Sequence, residues 1–339
     1  MGGHAFKQKL GIESERLDNI TYIATATYVH VKLNSLFAKT HLVKSYHNKE
    51  SHGDQDWLVS SPLYDSKIID SLKELFDLPN QYISQNTDVY SLLLEGKFQI
   101  DINVIDSQFF DTAEKYLDYS PIGNSLGKCY HKFGLSYGYD GLSYILRDNF
   151  NTYKLGKIQL SLNNKKIYEF LGLDYNKRIK GFNTECGIFD YVISSPYFNA
   201  DSFSFENMNH ISRIRDRKRP DYNRLLNYIN ENHKDKNYYF LPKEEYLPII
   251  DAYFPESNLL SEIQKLKNKA LTRKKNAEKF NGFLVREWIE VSGKELGMLI
   301  QGFKKAVVHG ESTFEDYLTI LTPETVKSHF LNWFYSNNH

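Results

Sequence analysis

The stretch KSYHNKESHGDQDWLVSS, residues 44–61, places two aspartates one residue apart at the start of an apolar run. Asp54 and Asp56 follow a glycine, which allows the backbone to turn tightly before a strand. On a β-strand, side chains at positions i and i+2 point to the same face, roughly 6.6–7 Å apart along the chain. The two carboxylates would therefore converge on one ion, while Gln55 and Trp57 would face the other way, toward a helix or a neighbouring strand.

A third carboxylate is expected from a later strand. In KFQIDINVI, residues 97–105, Asp101 lies between two isoleucines, where an unpaired charge is unfavourable. If this strand lies beside the first, the aspartate trio (Asp54, Asp56 and Asp101) could hold two Mg²⁺ ions roughly 3.5–4 Å apart, with Mn²⁺ as the alternative metal. Such ions serve phosphoryl transfer. The competing interpretation is that Asp54 and Asp56 are surface residues of a turn and that Asp101 begins an exposed strand, since Asp-x-Asp is a common pattern.

The composition limits the class of protein. The chain has 339 residues, 41% of them hydrophobic and 25% charged, which is typical of a soluble globular protein with more than one domain. The formal net charge is zero, so nucleic-acid binding would require local clusters of basic residues. The two cysteines form no CxxC pair, which disfavours a zinc site or a disulfide framework. No signal peptide or membrane-span pattern is visible, so we expect a cytosolic protein without a membrane partner.

The order of the predicted elements indicates an α+β fold. Residues 15–40 have the length of a helix, HLV is a short strand, and DQDWLVSS is a second strand after a loop. A helix is predicted over 66–78, followed by a hairpin of DVYSLLLEG and KFQIDINVI. This order is typical of a small mixed β-sheet with helices on one face. Farther on, KLGKIQLSLNNKKIYEFLGLD predicts a hairpin with its turn at Asn163-Asn164 that leads to a short helix, and 183–260 is predicted to be mostly helical.

These motifs together resemble the DNA polymerase β-like nucleotidyltransferase superfamily. Its pattern is a Gly-Ser at a strand end, a loop, an Asp-x-Asp and a later Asp; KSYHNKESHGDQDWLV and FQIDINV supply the Ser and all three aspartates. The likeness is greatest to phage- and virus-encoded members, which implies the host cytoplasm as one place of action. One position departs from the pattern, because Lys44 stands where the family has Gly.

The resemblance implies a role for each of these residues. The first two members of the aspartate trio would bind both metal ions, and the third would help to deprotonate the attacking hydroxyl. Ser45 would contact the β- and γ-phosphates of an NTP with Lys49 nearby, and Lys128 would meet the triphosphate from the segment GNSLGKCYHKFGLSYG. Alternatively, Lys49 is a solvated loop charge, and Lys128 is exposed on a segment whose Gly and Tyr residues only pack a loop.

Two basic tracts indicate a nucleic acid as the acceptor. RIRDRKRPDYNR holds six basic residues against two acids, and 265–279 holds seven against one. Such tracts can contact a phosphate backbone, although charge runs are often only solvated faces. The C-terminal FNGFLVREWIEVSGKELGMLIQGFKKAV resembles a helical segment of bacterial tRNA nucleotidyltransferases and poly(A) polymerases, although a simple helical hairpin would give a similar string. The predicted nucleic-acid contacts are Arg215, Arg217, Lys218, Arg219, Lys274 and Lys275.

The resulting prediction has three domains. They are a nucleotidyltransferase catalytic domain over 1–150, a mostly helical central domain over 151–264, and a basic linker with a helical nucleic-acid-binding module over 265–339. We expect metal-dependent, template-independent addition of nucleotides from an NTP to an RNA 3′ end, with a tRNA-like acceptor favoured and pyrophosphate released. The alternative is a nucleotidyltransferase that modifies a protein or a small molecule. The sequence indicates neither the nucleotide nor the oligomeric state.

Overall fold

The computed structural model describes residues 5–60, 67–148, 153–308 and 312–337. The chain divides into two compact units, one of Met1–Ile145 with Lys157–Leu259 and one of Leu146–Gly156 with Leu260–His339. The first unit contains residues of both the first and the second predicted domain. The boundaries of the three functional domains therefore remain a prediction. A small mixed sheet followed by helices confirms the α+β class.

The mixed sheet has the strand order β2-β4-β7-β6-β5. Within it, β4 and β7 run parallel and the other neighbours run antiparallel. Two smaller sheets pair β1 with β3 and place β9 between β8 and β10. In chain order the strands are β1 (Leu17–Asp18), β2 (Thr40–Leu42), β3 (Ser51–His52), β4 (Asp54–Ser60), β5 (Ile83–Asn86), β6 (Val89–Leu94), β7 (Phe98–Ile105), β8 (Leu135–Gly138), β9 (Gly141–Arg147) and β10 (Lys154–Ser161).

Helices make up most of the rest of the chain. Those that begin before residue 259 are α1 (Lys7–Leu10), α2 (Asn19–Asn34), α3 (Ile68–Phe76), α4 (Phe110–Leu117), α5 (Ile122–Lys132), α6 (Asn164–Phe170), α7 (Tyr175–Lys180), α8 (Glu185–Ile193), α9 (His210–Arg217), α10 (Pro220–Asn232) and α11 (Leu247–Tyr253). The later ones are α12 (Leu259–Lys279), α13 (Gly282–Ile289), α14 (Gly293–Val307), α15 (Phe314–Ile320) and α16 (Pro323–Asn337). In the described ranges, every helix is too short or too polar to cross a membrane.

The mixed sheet is covered on both faces. On one face α2 and α3 pack through residues such as Val29 and Leu72 against Trp57 and its neighbours on the sheet. On the other face α4 packs against Leu58. The prediction of helices on one face was therefore incomplete, because β4 becomes buried on both sides beyond its first three residues. Only the start of β4 is left partly open to solvent.

The predicted hairpin turn at Asn163-Asn164 is wrong. β10 is a single strand that ends before this pair, and α6 begins there. The side chain of Asn163 accepts a hydrogen bond from the backbone N–H of Lys166 at 3.1 Å, as an N-cap does. Asparagine is favoured both in turns and at helix N-caps, so the pair Asn163-Asn164 is compatible with either structure.

The second unit is mostly helical. Its core contains Phe280, Val285, Phe303 and Phe330 from three of the helices and from the segment between α12 and α13. The basic run over 265–279, predicted as a linker, lies within α12. The predicted helical character of the C-terminal part is confirmed.

Two glycines of α5 should respond oppositely to substitution by alanine. A Cβ at Gly123 would overlap the carbonyl oxygen of Tyr116 and lie 2.8 Å from its ring, whereas a Cβ at Gly127 would have its nearest neighbour at 3.9 Å. We expect Gly123→Ala to lower the free energy of unfolding by about 2 kcal/mol, because backbone must move. Gly127→Ala should raise it by roughly 0.5–1 kcal/mol, because glycine disfavours a helix interior. Chemical denaturation measures both, and equal effects would contradict this packing of Tyr116.

Candidate functional site

The aspartate trio comes together near the start of the parallel pair β4 and β7. Asp56 is the register partner of Asp101, and Asp54 lies opposite Gln99. One oxygen atom from each of the three carboxylates lies within 4.8 Å of the other two. The sequence left open whether these two strands are neighbours; the structure shows that they are, and the pleat of β4 places its two aspartates on the same face.

Buried glutamines orient the strands that carry the trio. Gln55 Nε2 donates a hydrogen bond to the backbone oxygen of Tyr22 in α2 at 3.0 Å, and Gln55 Oε1 accepts one from Trp57 Nε1 at 3.0 Å. As predicted, Gln55 and Trp57 thus face away from the carboxylates. On β7, Gln99 Nε2 donates to both carboxylate oxygens of Asp101, at 3.0 and 2.8 Å. These contacts fix the direction in which Asp101 points.

The carboxylates raise one another's proton affinity. The pKa of Asp56 is raised to about 8, first by the loss of water around the group and then by the charges of Asp54 and Asp101. Asp56 is exposed, and its carboxylate lies within 4.8 Å of those of Asp54 and Asp101, so repulsion between like charges favours its protonated form. Burial also raises the pKa of Asp101, against hydrogen bonds from Ser91 and Gln99 that lower it. The site thus has an excess of negative charge.

Metal-free protein should become less stable as the pH rises. The folded state holds a proton on Asp56 that the unfolded state releases, so the stabilisation is full below the ordinary pKa of 3.8 and is lost as the pH passes about 8. Thermal unfolding in EDTA across this window measures the effect, and Asp56→Asn should flatten the dependence. Identical pH profiles for the two proteins would contradict a raised pKa at this position.

A cavity of about 240 Å³ opens beside Asp54 and Asp56. Ser45 and Lys49, the predicted nucleotide contacts, line it together with Lys44. Burial lowers the pKa of Lys49, and the two aspartates oppose this shift. The structure therefore brings a hydroxyl group and an amine to the carboxylates, as the predicted roles of Ser45 and Lys49 require.

The segment that carries Ser45 is fixed at its start by Asp118 and Tyr119. Lys44 N donates a hydrogen bond to Asp118 Oδ1 at 2.8 Å, and Tyr119 N donates to the oxygen of Lys44 at 2.7 Å. His41 Nε2 also lies 2.8 Å from Asp118 Oδ1. The backbone N–H and C=O of Lys44 are therefore both hydrogen-bonded. In the nucleotidyltransferase superfamily that the sequence resembles, this position holds Gly.

The far end of the same segment is held by the chain before α8. The backbone N–H groups of His47 and Asn48 donate to the oxygens of Phe182 and Asn183, each at 2.9 Å. The ring of His47 also contacts the side chain of Asn183, with Nδ1 2.9 Å from Oδ1. Contacts at both ends therefore define the path of the backbone past the aspartates.

Lys128 does not line the cavity that contains Asp54 and Asp56. Its Nζ lies 2.9 Å from Asp216 Oδ2 and 4.7 Å from the ring centroid of Tyr222. Lys128 lines a separate cavity of about 450 Å³. A largely buried ion pair therefore occupies the amine that was predicted to bind nucleotide.

The predicted nucleic-acid contacts have different surroundings. Lys218 and Arg219 line a cavity of about 380 Å³ together with Asp56. Arg215 pairs with the neighbouring Asp216 at 2.8 Å, and Arg217 lies 5.5 Å from the ring centroid of Phe205. Two of the six residues thus approach the aspartate trio. The remaining pair, in the second unit, is exposed on α12: Lys274 and Lys275.

Several residues at the site were not predicted from the sequence. Arg224 forms two hydrogen bonds to Glu185, at 2.7 and 2.6 Å, and Ser120 donates a hydrogen bond to Asp221. These four residues line the cavity beside Asp54. Arg224 and Asp221 were counted only as charges in a basic tract, and no local pattern links them to a partner 39 or 101 residues away.

The sequence matches no protein-family model, and no relative is found among curated proteins.

Proposed function

We propose that this protein is a metal-dependent, template-independent nucleotidyltransferase that adds nucleotides from an NTP to an RNA 3′ end, with a tRNA-like acceptor favoured. The observation that carries the proposal is the convergence of three carboxylates, whose oxygens lie within 4.8 Å of one another on adjacent parallel strands. Ser45 and Lys49 beside them suit a triphosphate.

The donor set fits Mg²⁺, or Mn²⁺, because both metals prefer oxygen ligands. The raised pKa of Asp56 reflects like charges that a divalent cation would offset. Two such ions, held by Asp54, Asp56 and Asp101, would neutralise the triphosphate and favour ionisation of the acceptor hydroxyl. Two lysines, Lys44 and Lys49, line the cavity beside these carboxylates.

The chain's own residues have defined parts in the transfer. Asp101, oriented by Gln99, takes up the proton of the acceptor 3′-hydroxyl. The hydroxyl oxygen forms a bond to the α-phosphorus of the NTP, the bond from that phosphorus to the bridging oxygen breaks, and pyrophosphate leaves. Ser45 and Lys49 hold the β- and γ-phosphates, so they also stabilise the charge of the leaving group.

The acceptor assignment is supported by the basic residues nearest the trio. Lys218 and Arg219 share a cavity with Asp56. Cations at this position suit a polyanion, whose phosphates lie close to the reacting end. A neutral small molecule would make no use of them.

The test is incorporation of label into RNA. Purified full-length protein is incubated with Mg²⁺, a pool of total RNA and each labelled NTP in turn, with Asp56→Ala as the control. We expect metal-dependent labelling of RNA that the Asp56→Ala variant lacks, and the NTP that gives it identifies the nucleotide. Label on protein, or no labelled product, would overturn the RNA assignment.

A further inference from the structure

Three neighbouring cavities lead away from the aspartate trio within the first unit. The cavity beside Asp54 shares Asp56, Ser120 and Asp221 with the cavity of about 380 Å³. That second cavity shares Tyr116 and Asn124 with the cavity of about 450 Å³. The three cavities are therefore neighbours within the first unit, and together we call them the basic groove.

The groove has a surplus of positive charge beyond its aspartate end. Asp216 is fully buried under it and is contacted by Lys128 at 2.9 Å, Arg215 at 2.8 Å and Arg219 at 4.0 Å. Asp216 thus faces three cations, and Asp221 is the other carboxylate that lines the second cavity beyond the aspartate trio. The basic side chains that line the second and third cavities are Lys218, Arg219, Lys128, His131, Lys132 and Arg215.

The junction between the second and third cavities offers an aromatic ring and an amide. Tyr116 lines both cavities and is held against Tyr137, with ring centroids 5.2 Å apart. Asn124 Oδ1 accepts a hydrogen bond from Arg215 at 3.3 Å, while its buried Nδ2 donates to no acceptor in the described part of the chain. A buried donor without an acceptor indicates a missing partner.

We propose that the basic groove is the path of a single-stranded RNA whose 3′ end reaches the aspartate trio. Cations spaced along the groove meet successive phosphates, and Tyr116 provides a surface on which a base stacks. Asn124 and the hydroxyls of Ser202 and Ser212 suit the ribose 2′-hydroxyl, which donates and accepts hydrogen bonds. The inference rests on the proposed function, because that function supplies the RNA end.

The first test is equilibrium binding of a short unstructured RNA to the full-length protein in EDTA, without NTP. The Lys132→Gln/Lys218→Gln variant should show a slope of log affinity against log salt that is smaller by roughly 1.4, since each phosphate contact contributes about 0.7 for a single strand. The Lys132→Arg/Lys218→Arg variant should keep the wild-type slope. The matched control changes two exposed lysines outside the groove, Lys177→Gln/Lys234→Gln, and should also keep it.

The outcomes separate this inference from the proposed function, because binding in EDTA requires no transfer. A smaller salt dependence of RNA affinity in the Lys132→Gln/Lys218→Gln variant alone supports the basic groove as the RNA path, even if no nucleotide is ever incorporated. A wild-type slope in the Gln variant overturns the inference, even if the protein transfers nucleotides. DNA of the same sequence bound with equal affinity would overturn the assignment to RNA.

A second test examines the direction in which the RNA chain runs along the basic groove. 4-Thiouridine placed next to the 3′ end should crosslink to the peptide that contains Lys218, and 4-thiouridine placed farther from the end should crosslink to the peptide that contains Lys132. The reverse order would overturn the proposed path.

Discussion

Replacing Asp54 by asparagine is expected to slow the proposed transfer by about 1000-fold or more while the fold stays intact. Asparagine keeps the shape of the side chain but removes one of three charges that would hold the metal ions. Bound metal contributes several kcal/mol of charge stabilisation to such a transition state, and about 4 kcal/mol corresponds to a factor of about 1000. Single-turnover incorporation of label at saturating Mg²⁺ measures the rate.

The stability of the same variant distinguishes a lost metal ligand from a damaged fold. Asp54 is only partly buried, and its carboxylate lies within 4.8 Å of two others. Removing it relieves repulsion, so thermal stability in EDTA should stay equal or increase, while the increase in stability on adding Mg²⁺ should shrink. The matched control is Asp70→Asn on α3, an exposed aspartate that should leave the rate unchanged. Near-wild-type transfer by Asp54→Asn would remove the basis of the proposed function.

The trio was predictable from the sequence because its geometry is mostly local. The two-residue spacing fixes Asp54 and Asp56 on one face of a strand, and the isoleucines beside Asp101 mark a strand that carries a charge into a core. The pairing of that strand with β4 depends on strand order, which the sequence did not determine. The strand β5 was also absent from the prediction, since ISQN has no alternating apolar pattern.

The surroundings of the trio were less predictable because they depend on long-range pairs. Lys128 and Asp216 are 88 residues apart, and nothing in the sequence of α5 distinguishes a buried ion pair from a phosphate contact. The placement of Lys218 and Arg219 beside Asp56 likewise depends on how α9 and α10 pack. Charge counting identified the tract but not which of its members faces the site.

Replacing Arg178 by methionine should lower the free energy of unfolding by about 3 kcal/mol. Arg178 is 1% exposed, and its Nη2 donates to the backbone oxygens of Lys115 and Asp118 at 2.8 and 3.2 Å. Methionine fills much of the space, and the backbone oxygen of Lys115 keeps a hydrogen bond from the Tyr168 hydroxyl at 2.9 Å. The backbone oxygen of Asp118 loses the donor from Arg178, and the Asp118 carboxylate loses a neighbouring positive charge. An unsatisfied buried group costs roughly 1–3 kcal/mol, and more when a charge is involved. Chemical denaturation measures the loss. The exposed neighbour Lys177 gives the control, and Lys177→Met should change stability by at most about 0.5 kcal/mol.

The same substitution should weaken the proposed nucleotide binding, because Arg178 supports the turn that holds the segment of Ser45. Its guanidinium lies 4.8 Å from the ring centroid of Tyr119, and the backbone of Tyr119 and the carboxylate of Asp118 hold both sides of Lys44, next to Ser45. A displaced Ser45 would lose contact with the triphosphate, so KM for the NTP should rise several-fold while the Mg²⁺-induced gain in stability is kept. Arg178→Lys retains the positive charge and can still donate a hydrogen bond. Its KM for the NTP and its free energy of unfolding should therefore lie between those of the wild type and Arg178→Met. An unchanged KM together with the expected loss of stability would limit Arg178 to a structural role, since the link from this buried charge to the segment of Ser45 would then have no effect on binding.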